Sequence, residues 1–430
     1  MRNFTISSRI RWWTALVVVF ICCQYFTSYG QIKLAGPGVS EVKITPDSTT
    51  LVVRGDLNGN GIPDLHAIPV NGGDPILLDE IAEGGNLWEM RVTNTHVVYR
   101  GKRNAGNEDI YSARLDGTGM PVELITAPDG GDIYDGNVNG DLEELRWQIT
   151  PDGTRVIFVG RLDDGENDSH DLWISPINGG GNTMLLEYTG NFWGLIISNT
   201  HAVIRGRIDG DNNEDLYTVP LDGSSAAAML VEAADGGDIH DDSWGISPDG
   251  TFVVYGGNLD GDGNQKLVKQ PIGTGTAEIL HEGARNVWEL KMSGGTAVFR
   301  GRLDDNDMED LFTVPIAGGT AAVKLVEAPS GGDISDRQGW QFTPDGNTIV
   351  YGGRLDPTSD RQLYVIPATG GTAKQISTGS SELWEIRITN HYAVVRGKYS
   401  GDQEDIMSVP LDGSREPVVL ATAPSGGDIQ

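Results

Sequence analysis

The chain of 430 residues has only two cysteines, Cys22 and Cys23, and both lie near its start. If the first 30 residues are removed, no thiol remains, so the predicted fold has neither a disulfide nor a cysteine nucleophile. A body of about 400 residues can bury enough apolar surface to fold without such cross-links.

Long apolar runs are scarce as well. The run at residues 15–23 follows Arg2, Arg9 and Arg11 and precedes small residues at 28–30, a pattern typical of a secretory signal peptide. The run is too short to span a bilayer easily. We predict a cleaved signal over residues 1–30 and a secreted or periplasmic protein, with an uncleaved membrane anchor as the alternative.

Basic residues are few. The chain has 31 Lys and Arg against 61 Asp and Glu, which gives a net charge of −30. Loss of the three early arginines with the signal moves the net charge to −33. Such a surface repels nucleic acid and anionic membranes, so we predict neither as a partner and no membrane span in the mature chain. It suits cations, basic partners or solubility alone.

Catalytic motifs are also missing from the sequence. No G-x-S-x-G elbow is present, and no histidine and cysteine cluster has the spacing of a zinc site. His96, His201 and His391 fall at nearly the same position of a repeat, which predicts a scaffold role. The other histidines are scattered among acidic turns, at His66, His170, His240 and His281.

A repeat runs from about residue 40 to the end of the chain. Each unit has a tryptophan, a glycine 13 residues later, an acidic stretch and then an apolar strand. The pairs are Trp88 and Gly101, Trp147 and Gly160, Trp193 and Gly206, Trp244 and Gly257, Trp288 and Gly301, Trp340 and Gly353, and Trp384 and Gly397, with Val42 and Gly55 as a first copy. Repeats of about 40–50 residues rich in strand signals predict propeller blades.

Two types of unit alternate. The Pro-Asp units have a Pro-Asp pair in their first turn, at Pro46, Pro151, Pro248 and Pro344. The Arg units have an arginine just before the glycine, at Arg100, Arg205, Arg300 and Arg396, and a Glu-Asp pair that closes the acidic hairpin, at Glu108, Glu214, Glu309 and Glu404. Four double units predict eight blades, each of four antiparallel strands, and almost no helix. The predicted fold class is therefore all-β, one eight-bladed β-propeller over residues 31–430.

Residues 150–153, Thr-Pro-Asp-Gly, are followed by Val-Gly-Arg-Leu-Asp at 159–163 and Asp-Leu-Trp at 171–173. This sequence pattern resembles the TolB-like (WD-repeat-like) propeller repeat of exported bacterial proteins. The resemblance covers four units well and the second half of the other four. It implies a propeller that makes protein contacts in some relatives and forms a domain of peptidases or lyases in others.

The acidic hairpins contain candidate calcium loops. Asp56, Asn58, Asn60 and Asp64 fit a D-x-N-x-N-G-x-x-D pattern, in which alternate residues around a glycine bend supply hard oxygen ligands. This loop also resembles the FG-GAP calcium loop of other propellers. A second candidate is Asp209, Asp211, Asn213 and Asp215, and a third, at residues 260–264, has Lys266 where the final acid should be. The alternative is that these are plain turn residues.

The repeated tryptophans allow two interpretations. Indoles stack on pyranose rings, but a residue that recurs in seven blades is more often packed between them, and we expect Trp88, Trp193, Trp288 and Trp384 to be largely buried. We expect the arginines of the Arg units to pair with the Glu-Asp of the same or the adjacent hairpin. In a meander of four strands, the acidic hairpins and the crossovers between blades share one face, which is predicted to be anionic with aromatic residues nearby.

Two functions from different classes follow. The first is a non-enzymatic exported propeller that binds a protein or glycan ligand through the acidic face, with calcium as a cofactor. The second is a glycan-cleaving propeller of the polysaccharide lyase type, in which a metal acidifies a sugar carboxylate. Departures from the repeat are mostly Asp, Asn and Gly rather than His, Lys, Arg or Gln, which favours binding.

Overall fold

In the computed structural model of the chain, the described residues are 39–423 except 58, 104–107, 126–131, 134–146, 162–170, 188–190, 209–212, 235–236, 274, 304–308, 331–332, 335–338, 356–360, 378–381 and 400–402. These residues form antiparallel β-sheets and no α-helix. The predicted signal peptide lies outside them. Among the described residues, no helix is long and apolar enough to cross a membrane.

The strands of the described residues group into eight sheets in chain order, and consecutive strands pair in every sheet except at the interrupted first strands of sheets 3 and 7. Sheet 1 contains β1 (Val39–Ile44), β2 (Thr50–Gly55), β3 (Asp64–Pro69) and β4 (Ile76–Asp79). Sheet 2 contains β5 (Asn86–Val92), β6 (His96–Lys102), β7 (Asp109–Arg114) and β8 (Val122–Ile125). Sheet 3 contains β9 (Asp132–Ile133), β10 (Trp147–Ile149), β11 (Arg155–Arg161), β12 (Asp171–Pro176) and β13 (Thr183–Leu186). Sheet 4 contains β14 (Asn191–Ile197), β15 (His201–Arg207), β16 (Asp215–Pro220) and β17 (Ala228–Val231).

The remaining sheets have the same plan. Sheet 5 contains β18 (Asp238–Ile246), β19 (Phe252–Asn258), β20 (Gln265–Pro271) and β21 (Glu278–Ala284). Sheet 6 contains β22 (Asn286–Ser293), β23 (Thr296–Arg302), β24 (Asp310–Pro315) and β25 (Val323–Val326). Sheet 7 contains β26 (Asp333–Ile334), β27 (Trp340–Phe342), β28 (Thr348–Arg354), β29 (Gln362–Pro367) and β30 (Lys374–Gln375). Sheet 8 contains β31 (Glu382–Ile388), β32 (Tyr392–Lys398), β33 (Asp405–Pro410) and β34 (Val418–Thr422).

This arrangement confirms the predicted all-β class and the four-stranded antiparallel unit. In sheets 3 and 7 the first strand is interrupted, and its short outer piece, β9 or β26, pairs with the same neighbour as the main piece. The last sheet has its fourth strand in β34, which pairs with β33. Closure of the sheets into an eight-bladed ring stays a prediction.

The chain divides into two compact units, which we describe separately. The first is Met1–Thr189 with Val219–Ala227 and Gln430, and the second is Gly190–Thr218 with Ala228–Ile429. In the first unit, apolar cores join sheet 1 to sheet 2 and sheet 2 to sheet 3. In the second unit, each sheet from 4 to 7 shares a core with the next. Burial of these alternating apolar faces is the main stabilising contribution.

The glycine near the end of the second strand has a steric cause in sheets 2, 5, 6 and 8. A Cβ at Gly101 would lie 2.6 Å from the carbonyl oxygen of Asn86 on the neighbouring strand, and a Cβ at Gly301 would lie 2.6 Å from that of Asn286. Both distances are far inside van der Waals contact, so only glycine allows the first two strands to approach here. The repeated glycine is therefore a packing requirement of the first strand pair in these sheets.

The first turn of the Pro-Asp sheets is closed by its aspartate. The carboxylate of Asp152 accepts hydrogen bonds from Thr150 Oγ1 at 2.6 Å and from the backbone N–H of Thr154 at 3.0 Å. The same contacts recur at Asp47, Asp249 and Asp345. These donors lower the pKa of each carboxyl group. The hydrogen bond from the Thr or Ser side chain two residues earlier lowers it most. The predicted compact Pro-Asp turn is confirmed.

Candidate functional site

The hairpin end of each sheet is the end where its second strand finishes and its third strand begins. In sheet 2, for example, Gly101 pairs with Asp109, and Leu87 pairs with Gly101, so the start of the first strand lies at the same end. The tryptophans, the paired arginines and the candidate calcium loops all lie at this end. Much of the acidic hairpin sequence itself falls outside the described residues.

The two sets of tryptophans differ in where they stand relative to a shift in strand register. In the Arg sheets the register shifts at or next to the tryptophan, between Leu87 and Glu89, between Phe192 and Gly194, and between Trp288 and Lys291. In the Pro-Asp sheets the tryptophan comes after the irregular part of the first strand and pairs directly, Trp147 with Phe158, Trp244 with Tyr255 and Trp340 with Tyr351. A bulge bends its strand and re-aims the side chain at that point.

Burial follows this difference. Trp147 and Trp340 are completely buried and Trp244 is nearly so, whereas 37% of Trp88 is exposed and Trp193 and Trp288 are half-buried. The expectation that the tryptophans of the Arg units are largely buried is therefore wrong for Trp88. It fails because the bulge directs the indole away from the core between sheets. The side chain of Trp384 lies outside the described residues.

The arginines of three Arg sheets pair with the glutamate of their own hairpin, as predicted. Arg100 pairs with Glu108, Arg205 with Glu214 at 3.2 Å, and Arg300 with Glu309. Arg100 and Arg205 are buried and Arg300 is mostly so, while a quarter to a third of each glutamate side chain is exposed. The guanidinium groups therefore orient carboxylates that remain accessible at the hairpin end.

A second carboxylate completes each of these clusters. Glu89 Oε2 lies 3.8 Å from Arg100 Nε, and Glu289 Oε2 lies 3.1 Å from Arg300 Nε. In sheet 4 the corresponding residue is Gly194, and Asp241 from the next sheet pairs with Arg205 instead. Two different sequence positions thus provide the same charge.

A second cation lies over each exposed indole. Lys102 Nζ is 6.0 Å from the ring centroid of Trp88, the guanidinium carbon of Arg207 is 4.9 Å from that of Trp193, and that of Arg302 is 5.4 Å from that of Trp288. These residues come two positions after the paired arginine, in the Arg-Gly-Lys or Arg-Gly-Arg triplet. Sequence reasoning missed them, although the triplet recurs in every Arg unit.

We call each set an indole cluster. The three indole clusters are Trp88 with Arg100, Lys102, Glu89 and Glu108; Trp193 with Arg205, Arg207, Glu214 and Asp241; and Trp288 with Arg300, Arg302, Glu289 and Glu309. Every cluster has one partly exposed indole, two cations and two carboxylates. Their formal charges cancel, on a chain whose net charge is −30.

The second cluster has two further features. Burial raises the pKa of Glu214. The negative charges of Asp241 and Asp238 raise this pKa further, and the positive charge of Arg205 lowers it. His240, next to Asp241 in sequence, lies edge-on to Trp288 of the third cluster with 6.4 Å between the ring centroids, and its buried Nδ1 has no hydrogen-bond partner. His240 is a departure from the repeat that the sequence left without a role.

The first candidate calcium loop is folded around Asp56. Its carboxylate accepts the backbone N–H groups of Gly59, Asn60 and Gly61 at 2.6, 3.0 and 2.9 Å. Asn60 Oδ1 accepts the N–H of Ile62, and Asn58 lies outside the described residues. These contacts form a tight acidic turn around one carboxylate.

Asp64, the last predicted ligand of this loop, is buried at the start of β3. Its Oδ1 accepts the backbone N–H of Ile81 at 2.9 Å. Burial raises its pKa, and the negative charges of Glu80 and Asp56 contribute in the same direction. Asp56 and Asp64 are therefore close enough to repel each other, and a bound cation would relieve that repulsion.

The second candidate loop is only partly visible, because Asp209 and Asp211 lie outside the described residues. Asn213 is half-buried, and Asp215 is buried and accepts the N–H of Ala233 at 2.8 Å. Asp310 makes the same bond to Ala328. An aspartate at the start of the third strand thus ties it to the chain after the fourth strand in several sheets. This structural role of Asp64 and Asp215 could have been inferred from the recurrence of Asp at that position.

In the third loop, the Lys266 ammonium group pairs with Asp260 and lies 3.6 Å from Glu282. The hydrogen bond to Asp260 is the first cause that raises the pKa of Lys266. The side chain of Lys266 therefore provides the positive charge in this hairpin. Among the described residues, no group of three or more His, Cys, Asp or Glu side chains is placed to hold a metal ion.

Two histidines that recur in the repeat have a scaffold role, as predicted. His96 Nδ1 is 2.9 Å from Thr95 Oγ1, and His201 Nδ1 is 3.0 Å from Thr200 Oγ1, each at the start of the second strand. Burial lowers the pKa of His96 and of His66. His170 lies outside the described residues.

Comparison with known proteins gives no family model and no curated protein that matches the sequence. Solved structures of similar shape include an oligogalacturonate lyase from Vibrio parahaemolyticus, at 18% identity and a TM-score of 0.43, covering 76% of this chain and 89% of that one. A putative TolB from Agrobacterium tumefaciens is similar at 16% identity and a TM-score of 0.35, covering 56% and 85%. Prolyl oligopeptidase B from Galerina marginata is similar at 10% identity and a TM-score of 0.45, covering 79% of this chain and about half of that one. At such values the site must be interpreted from its own residues.

Proposed function

We propose that this chain is an exported, non-enzymatic β-propeller that acts as a binding scaffold. Its ligand, a protein or a glycan, contacts the acidic hairpin ends of the sheets, and calcium binds in the hairpin of sheet 1. The observation that carries this proposal is the recurrence of the indole cluster in sheets 2, 4 and 6. A catalytic centre needs one set of groups that differs from its neighbours, whereas a surface for an extended ligand benefits from repetition.

The proposal includes a fold and a location. The eight sheets close into one ring, and a cleaved signal over residues 1–30 directs the protein to the periplasm or the cell exterior. Small-angle scattering of the secreted protein tests the ring, because a closed disc and an extended array of sheets differ strongly in radius of gyration. Mass spectrometry of the exported protein tests the cleavage.

Binding without turnover is tested directly. The purified protein is incubated with a panel of soluble neutral and acidic polysaccharides and with a basic protein such as lysozyme, and complexes are detected by affinity electrophoresis and by calorimetry. The same mixtures are assayed for new reducing ends and for the ultraviolet absorbance of unsaturated sugar products. We expect a retained ligand of unchanged length, and cleavage of any bound polysaccharide would contradict the non-enzymatic proposal.

The surroundings of Glu214 favour a second candidate, a polysaccharide lyase. A carboxyl group whose pKa is raised by burial, next to the guanidinium of Arg205, is suited to proton transfer, and His240 lies on the adjacent segment. If the panel reveals cleavage, Glu214→Gln and His240→Ala should abolish it while Glu83→Gln, at an exposed glutamate outside the indole clusters, leaves it unchanged.

A further inference from the structure

A cleft lies between sheets 7 and 8 of the second unit, at the end of these sheets opposite to the hairpin end. We call the space lined by Asp345, Lys374, Asn390 and Asp412 the turn-end cleft. The two sheets share an apolar core, and their turns form the walls of the cleft. Its volume is about 330 Å³, at the lower end of the range of cavities that hold small ligands. The proposed binding at the hairpin ends does not use this space.

The turn-end cleft has a lysine where other sheets have an aliphatic residue. Lys374 begins β30, and the corresponding residues of sheets 1, 2 and 6 are Ile76, Val122 and Val323. The Nζ of Lys374 donates a hydrogen bond to the carbonyl oxygen of Asp412 in the next sheet. An ammonium group has three N–H donors, so two remain for a ligand.

Two carboxylates line the same cleft. Asp345 stands in the first turn of sheet 7, and Asp412 stands in the turn between β33 and β34 of sheet 8. The hydrogen bond from Thr343 lowers the pKa of Asp345 most, and the hydrogen bonds from Ser414 lower that of Asp412 most. Both carboxylates are therefore ionised at neutral pH, and both side chains are exposed.

The opposite charges of the cleft do not pair with each other. Within the part of the chain that the structure describes, Lys374 forms no ion pair with Asp345, Asp412 or any other carboxylate. The first turns of the two sheets are held together by Asn390, whose Oδ1 accepts the backbone N–H of Asp345 at 3.0 Å. The charged groups thus stand around a cleft that is already formed, and no ion pair closes it.

The inner lining of the cleft is apolar. Leu411 is buried and Val365 is half-buried, whereas the charged side chains of Asp345, Lys374 and Asp412 are exposed. A ligand in the cleft would therefore meet aliphatic groups on its inner side and charged groups of both signs near the opening. This combination of an apolar lining with a few polar groups is typical of small-ligand sites.

A ligand that carries only one charge does not match this lining. A simple anion meets two carboxylates, and a simple cation meets the ammonium group of Lys374. A ligand with both charges can pair with both kinds of group, and partial removal of water strengthens each attraction.

We propose that the turn-end cleft binds a free amino acid with an aliphatic side chain. The carboxylate of the amino acid accepts hydrogen bonds from Lys374, and its ammonium group donates to Asp345 or Asp412. Its side chain packs on Val365 and Leu411.

The test is saturation-transfer difference NMR of the full chain at pH 7 with leucine and two analogues. N-acetylleucine lacks the ammonium group, leucinamide lacks the carboxylate, and both keep the aliphatic side chain. We expect leucine to bind, and each analogue to bind about fivefold more weakly because it loses one ion pair near the protein surface.

Two variants test the charged groups separately. Lys374→Gln should weaken the binding of leucine about fivefold and leave that of leucinamide unchanged, whereas Lys374→Arg should keep most of the affinity for leucine. The double variant Asp345→Asn/Asp412→Asn should weaken the binding of leucine and leave that of N-acetylleucine unchanged. Asp47→Asn/Asp116→Asn changes the corresponding turn residues of sheets 1 and 2 and is the matched control.

Urea unfolding of each variant shows whether the fold is retained. Weaker leucine binding in Lys374→Gln and in the double variant of the cleft, but not in the matched control, supports the proposal. No saturation transfer to leucine, equal binding of leucine and leucinamide, or equal binding of leucine by Lys374→Gln and the wild type would each overturn it. All these outcomes leave the proposed binding at the hairpin ends intact, because the variants change none of the residues there.

Discussion

Trp147 Nε1 donates a hydrogen bond to Glu89 Oε2 at 2.9 Å, from the first strand of one sheet to the first strand of the preceding sheet. The same bond joins Trp340 to Glu289 at 3.0 Å. In both cases a cation two residues after the glutamate lies over the indole, Arg91 at 4.9 Å and Lys291 at 4.4 Å. Glu89 and Glu289 therefore each accept a hydrogen bond from the next sheet and also belong to an indole cluster.

Sheets 4 and 5 replace this polar contact by packing. Gly194 stands where the glutamate would be, and the six-membered ring of Trp244 fills the space that a Cβ there would need. Ile196, at the position of Arg91 and Lys291, packs against the same apolar core. Loss of the carboxylate and loss of the cation therefore go together, because either alone would leave a partly buried charge without its partner.

The first prediction concerns the bond to Trp147. Glu89→Ala leaves a completely buried indole N–H without an acceptor, which should lower the free energy of unfolding by about 1–3 kcal/mol. Glu89→Gln keeps an acceptor oxygen and should cost less. Urea unfolding followed by circular dichroism measures both, with the exposed Glu83→Ala as control. Equal stability of Glu89→Ala and the wild type would show that the bond contributes nothing.

The second prediction separates the two sets of tryptophans. Trp340→Ala removes a fully buried side chain and should lower the free energy of unfolding by about 3–5 kcal/mol through cavity formation. Trp88→Ala removes an exposed side chain and should cost less than about 1 kcal/mol. Chemical denaturation of the two variants in parallel provides the comparison. If both variants lose a similar free energy of unfolding, the bulge does not determine whether an indole contributes to the core.

The third prediction tests the repeat glycine. Gly101→Ala places a methyl group against the carbonyl oxygen of Asn86 and should lower the free energy of unfolding by about 1–3 kcal/mol or more. Gly295→Ala is the matched control, since a Cβ there meets nothing within 4 Å. Thermal melts distinguish the two, and a Gly101→Ala protein as stable as Gly295→Ala would show that the strands can separate without penalty.

Much of this architecture was predictable, because the repeat of strand and turn signals depends on local chemistry. The Pro-Asp turn and the pairing of Arg100 with Glu108 both involve residues close in sequence. The burial of the tryptophans could not be predicted. Trp88 and Trp147 stand in similar sequence patterns, and the difference between them lies in the strand register. Asp241 could not be anticipated either, because it reaches Arg205 from the next sheet.

The fourth prediction concerns pH. Burial lowers the pKa of Lys291 to about 8, with Glu289 and Asp242 opposing. In the unfolded chain this pKa returns to about 10.4, so that between about pH 8 and pH 10 the unfolded state binds more protons and stability rises with pH. The gain approaches about 3 kcal/mol at most.

Lys291→Met removes the titrating group. This variant should be more stable than the wild type near neutral pH, and the dependence of its urea midpoint on pH between about 8 and 10 should be flatter. Lys43→Met, an exposed lysine, should keep the slope of the wild type. An identical slope in Lys291→Met and the wild type would assign the pH dependence to other groups.

The last prediction is that calcium stabilises the protein through the hairpin of sheet 1. The Asp56 carboxylate already accepts three backbone N–H groups in a turn, and burial raises the pKa of Asp64, with a smaller contribution from the charge of Asp56. A cation held by Asp56, Asn58, Asn60 and Asp64 would offset this repulsion. Because it binds only the folded state, it should add about 2.7 kcal/mol at a hundredfold excess over Kd.

Differential scanning fluorimetry with calcium, magnesium and a chelator measures this effect. The melting temperature should rise with calcium and fall with the chelator, and magnesium should substitute poorly because it requires a tighter octahedral shell. Asp56→Ala should remove most of the response, whereas Asp74→Ala, an exposed aspartate outside the hairpin, should leave it unchanged. A residual response in Asp56→Ala would indicate the second loop, with Asp209, Asp211, Asn213 and Asp215. A melting temperature indifferent to both calcium and chelator would leave these hairpins as acidic turns, open to cationic partners.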